Sequence, residues 1–132
     1  MALREKYNGR YVDAETATNY IDAPGIIKSA NSIKDELEEF SNLSSDVKNA
    51  GSDLNAETLF IDGFECAPLV DAVASEITVS YTSMIGNLDE IIAAAEAEYN
   101  KKQDELNHIA KERDRAEIAR REAEAAAQTG NN

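Results

Sequence analysis

The sequence predicts an all-α protein: an antiparallel helical hairpin with a long, projecting second helix and an irregular N-terminal arm. Three observations carry that expectation. Ile26, Ala30, Ile33, Leu37, Phe40, Ser44 and Val47 recur at alternating steps of three and four. Val70, Ala74, Ile77, Tyr81, Met84, Leu88, Ile91 and Ala95 do the same. Such steps average about 3.5 residues and keep one apolar seam along a helix. Between the two series lies Leu59-Phe60-Ile61-Asp62-Gly63-Phe64, whose Asp-Gly pair suits a sharp turn. Two seams joined this closely fold back on one another. The expected divisions are an arm over 1–21, a hairpin over 22–106, and a projecting charged helix with a disordered end over 107–132.

The arm contains Tyr7 and Tyr11 around Asn8-Gly9, a turn dipeptide compatible with a small hairpin or an irregular course. Asp13 is placed to cap a short helical stretch through Ile21, although Thr16, Thr18 and Asn19 are poor helix formers. The arm's three tyrosines are expected over the open side of the helical pair.

Asp22 is the expected N-cap of the first helix, with Pro24 in the first turn where its missing N–H costs nothing. Gly51 is expected to end it in the left-handed position, giving about 26 residues or roughly 39 Å. Residues 51–67 then form the connection. Its apolar half, Leu59-Phe60-Ile61 and Phe64, is expected to cover the hairpin's end.

Pro68 opens the second helix, which meets no strong breaker before Gly130. Gly86 is tolerable within it at about 1 kcal/mol relative to alanine. Beyond Glu98 the larger apolar residues, Tyr99, Leu106, Ile109 and Ile118, keep no heptad register. Arg113/Glu117, Glu117/Arg121 and Arg120/Glu124 are opposite charges four apart, the pattern of a solvated helix or spacer.

Charge divides the chain as well. Of 132 residues with a formal net charge of −13, residues 1–98 hold 6 Lys/Arg and 19 Asp/Glu, whereas 99–132 hold 7 of each. That acidity disfavours nucleic acid and anionic membranes. A two-helix hairpin cannot enclose its own core, so a helical protein partner or a homodimer is expected.

No residue set specifies a chemistry, and neither catalytic residues nor cofactors are expected. Cys66 is the single cysteine, and His108 with Glu112 supplies at most two metal ligands. No signal peptide or membrane span is legible at the start of the sequence or within it.

Two antiparallel helices joined by a glycine turn resemble the small WXG-motif proteins of type VII secretion. Ile61-Asp62-Gly63 stands where that family has Trp-x-Gly, and the likeness covers roughly residues 22–106. The chain has no tryptophan. At the spacing of the family's Tyr-x-x-x-Asp/Glu export signal, Tyr99 is followed by Gln103 and not by an acid, and Asp104 stands one residue too far. The extended charged helix is closest in layout to the helper proteins of LXG toxins. The resemblance implies a non-enzymatic, co-secreted substrate or targeting adaptor that engages the secretion ATPase and leaves the cytoplasm without a signal peptide. It implies a partner or export surface on Tyr99, Gln103, Asp104, Leu106 and Ile109. The alternative expectation is a cytoplasmic homodimeric coiled-coil chaperone or spacer.

Overall fold

Both seams form helices. The computed structural model describes residues 2–57 and 67–130, with the backbone alone at 55–57 and 67. A single 3-10 turn, Ala17–Asn19, precedes α1 (Ala23–Glu57) and α2 (Ala67–Gly130). The described residues form an all-α hairpin. No described helix is long and apolar enough to cross a membrane. The turn residues Ile61, Asp62 and Gly63, together with Cys66, lie outside the described residues.

The chain forms two compact units, one of Met1–Ile27 with Ile92–Asn132 and the other of Lys28–Ile91. These follow neither the expected division at 21 nor that at 106. The reason is that the arm packs against the C-terminal stretch of α2, the part expected to stand free.

In the second unit the helices run antiparallel. Lys34 pairs with Asp89 at 2.7 Å, Ser44 Oγ donates to the Ala74 carbonyl at 3.1 Å, and Gly51 meets Val70. Small residues sit where the backbones come closest: Ala30, Ala74 and Gly51 are buried. Gly51 therefore does not end α1. A Cβ there would collide with the Val70 side chain, so the glycine serves close approach and the helix continues to Glu57.

In the first unit, Asp22 caps α1 as its position predicts, Oδ1 accepting from the Gly25 N–H at 3.1 Å. Asp13 caps no helix. Its carboxylate accepts from the Gly9 N–H at 2.9 Å instead, and the turn Ala17–Asn19 follows Thr16. Ala17, Ala23, Ala95, Tyr99 and Leu106 form the buried core, with Leu3 and Ile21 packed on it. α2 stays helical to Gly130, and 119–130 is exposed throughout.

Candidate functional site

Within the first unit the arm is held by a row of polar side chains on α2. Asn100 Oδ1 accepts from the Arg4 N–H at 2.6 Å, and its Nδ2 donates to the Ala2 carbonyl. Asn107 accepts from the Tyr7 N–H at 2.8 Å and donates to the Glu5 carbonyl at 3.0 Å. Gln103 accepts from the Ala17 N–H at 2.8 Å and donates to the Glu15 carbonyl at 2.9 Å. Each amide thus takes the N–H of one residue and the C=O two before it, as a peptide group of a neighbouring parallel strand does. The side chains pair with arm backbone groups that range from exposed at Glu5 to buried at Ala17. Gln103 Nε2 also donates to Asn107 Oδ1 at 2.9 Å, linking two of the three clamps.

Asp114 closes the row. Its carboxylate accepts from the N–H groups of Arg10, Tyr11 and Val12 at 2.7–3.1 Å and from the Tyr7 hydroxyl at 2.9 Å. The residue is 2% exposed. Donation from the Tyr11 N–H, with those of Arg10 and Val12 and the Tyr7 hydroxyl, outweighs burial and holds its pKa down to about 2. The same carboxylate raises the pKa of Tyr7, chiefly through that hydroxyl hydrogen bond. Asn8-Gly9 makes the turn this requires. Asn8 bridges to Asp13, and a Cβ at Gly9 would lie 2.6 Å from the Asp114 carboxyl group. Arg121 stacks over Tyr11 at 4.0 Å, Lys102 over Tyr20 at 4.4 Å and Lys111 over Tyr7 at 5.5 Å, so all three of the arm's tyrosines lie along the C-terminal part of α2.

This arrangement covers part of the expected partner surface. Tyr99, Gln103 and Leu106 are buried in the first unit, facing the core and the arm. Asp104 is exposed and paired with Arg4 at 2.9 Å, while Ile109 is exposed at the rim of a groove it shares with Val12, Tyr20 and Arg113. Asn100, Asn107 and Asp114 were not legible as functional because a charged, amide-rich helix reads as solvated. A spacing of eleven would have found Asp114 alone of the three: Ala95, Leu106 and Glu117 form one such row, and Ile92, Gln103 and Asp114 another, whereas Asn100 and Asn107 lie outside both.

The second unit offers a different surface. Ile33, Leu43, Leu54, Leu69, Val73 and Val79 keep 43–65% of their area exposed. Val47, Ala50, Leu54, Leu69 and Val73 line an open, almost wholly apolar groove of about 380 Å³. Among the described residues no group of three or more His, Cys, Asp or Glu is arranged to hold a metal. No protein-family model matches the sequence, and comparison with curated proteins and with solved structures returns no match.

Proposed function

We propose that this chain is a non-enzymatic adaptor that binds a helical protein partner along the open face of its hairpin. One observation carries the reading. The unit Lys28–Ile91 buries mainly small residues and leaves large aliphatic side chains exposed, Leu54, Leu69 and Val73 along one groove and Ile33 and Leu43 elsewhere on α1. Clustered apolar surface of this kind marks an interaction site, and an amphipathic helix is the natural complement of a groove between helices. The layout resembled by Ile61-Asp62-Gly63 and its flanking helices supplies the setting: a type VII secretion substrate or targeting adaptor, its partner the N-terminal helical region of an LXG toxin. Since Tyr99, Gln103 and Leu106 are covered by the arm, the proposal places partner binding on the hairpin. Co-expression of the chain with the helical region of an LXG toxin tests it. Co-elution at a defined stoichiometry, lost on Leu43→Lys, is the expected result. Separate elution of two folded proteins overturns the toxin assignment.

A further inference from the structure

We infer that the hairpin's outer face takes one amphipathic helix flanked by basic residues, and not a second copy of this chain. The inference rests on the helix-binding reading above and adds the chemistry of the occupant. Four rows run side by side along α1, each repeating every seven residues. Ala30, Leu37, Ser44 and Gly51 form the row that meets α2, fixed by Ser44 on the Ala74 carbonyl and Gly51 against Val70. Beside it lie Ile33, Phe40, Val47 and Leu54, part covered and part exposed. Next come Glu36, Leu43 and Ala50, all exposed. The second and third rows are spaced as the two core rows of a further coiled-coil seam, one that nothing in the hairpin itself completes.

The fourth row names the partner. Ser32, Glu39, Asp46 and Asp53 border the seam on its outer edge, three carboxylates at successive heptads, all exposed. Flanking charges at such positions select the partner of a coiled coil. Lys28–Ile91 carries three lysines against thirteen acidic residues, a net charge of −10, and Lys34 is already paired with Asp89. A second copy would set the same carboxylate row and the same net charge against itself, which association must overcome. A helix with lysine or arginine beside an Ile/Leu seam meets both the apolar rows and their acidic border.

The test uses the full chain and two synthetic four-heptad peptides sharing one Ile/Leu seam, one flanked by lysine and the other by glutamate. Fluorescence anisotropy at about 50 mM and about 500 mM salt reads the difference, since exposed charges are screened within a few ångströms at the higher strength. The Lys-flanked peptide should bind at least about tenfold tighter at low salt, with a smaller advantage at high salt. Reversing the border with Glu39→Lys, Asp46→Lys and Asp53→Lys should invert the preference. The neutral Glu39→Gln, Asp46→Asn, Asp53→Asn variant should abolish it, and circular dichroism checks that both variants fold. Equal binding of the two peptides overturns the charge inference and leaves the helix-binding reading standing. Binding of neither overturns both. A dimer of the chain alone, seen by light scattering and dissolved by Leu43→Lys, makes a second copy the occupant and overturns the inference.

Discussion

The two units solve opposite problems on the same long helix. In Met1–Ile27 with Ile92–Asn132, an extended arm lies on polar side chains that account for its backbone group by group: Asn100, Gln103, Asn107 and Asp114. In Lys28–Ile91, two helices with their own backbone bonds complete meet along a seam of small and half-buried residues, and apolar surface is left over. Directional bonds that leave nothing unsatisfied mark a finished interior. Among the described residues no buried side-chain N or O lacks a partner. Exposed aliphatic rows mark an unfinished one. The finished surface is structural and the unfinished one is where binding is expected.

Removing residues 107–132 is the strongest way to break that contrast. The cut takes away Asn107, Ala110, Asp114 and Arg121, so arm residues 5–14 lose their clamps. Proteolysis should then remove the arm rapidly, and melting should fall well below that of the intact chain. Lys28–Ile91 should keep its helicity and its affinity for a basic-flanked helix. An arm as resistant as before would show that the polar row does not hold it.

Asp114→Asn narrows the same question to one group. The amide retains one acceptor oxygen where the carboxylate offers two to four donors. Acid should mimic the substitution. The folded pKa, about 2, lies below the ordinary 3.8, so the stabilisation is complete above about pH 4 and is lost as pH falls through about 2. Glu117, held near 2 by Arg120 and then Arg121, titrates in the same window. Arm release must therefore be read from Tyr7 and Gly9 amide shifts rather than from helicity. The transition should vanish in Asp114→Asn and persist in Glu117→Gln. Its persistence in Asp114→Asn would mean that another carboxylate holds the arm.

Gln103→Leu should act through two backbone partners, the buried Ala17 and the exposed Glu15. It leaves the Ala17 N–H and the Glu15 carbonyl without their side-chain bonds, a loss of about 1–3 kcal/mol measurable by urea denaturation. A loss below about 0.5 kcal/mol would mean that water replaces the amide.

How much of this could be read beforehand follows from the kind of bonding each unit uses. Apolar periodicity reports apolar burial, so the hairpin was legible from Ile26 to Val47 and from Val70 to Ala95, and Asp22 announced the start of α1. The arm's seat was not. Its buried positions are Asn100, Gln103 and Asp114, which resemble a solvated face, and the eleven-residue spacing picks out only Gln103 and Asp114. Gly51 misled for a related reason. A glycine after a helical run signals a C-terminus, and only its approach to Val70 shows that it serves packing. The second apolar row of α1 was partly visible, since Ile33, Phe40 and Val47 were counted in the seam. Leu43 and Leu54, which turn that seam outward, were not.

The smallest expected effects come from the two glycines inside the hairpin's helices, and they should differ in sign. Both incur the backbone entropy of a mid-helix glycine, about 0.5–1 kcal/mol relative to alanine. At Gly51 an added methyl meets the Val70 side chain, and an overpacking cost of about 1–3 kcal/mol outweighs that entropic gain, so Gly51→Ala should destabilise by a net of up to about 2 kcal/mol unless α1 and α2 separate locally. Gly86 has nothing within 4 Å of a built Cβ and lies exposed on α2. Gly86→Ala should therefore stabilise by about 0.5–1 kcal/mol. Thermal or urea melts of the pair read both signs in one experiment. Binding of a basic-flanked helix should survive Gly86→Ala unchanged, because that position lies outside the rows from Ile33 to Leu54. Weaker binding would place the partner on the part of α2 around Gly86 instead. Stabilisation by both substitutions would mean that the helices are not in close contact at Gly51, and the hairpin seam would have to be drawn through the Leu37 and Leu88 region alone.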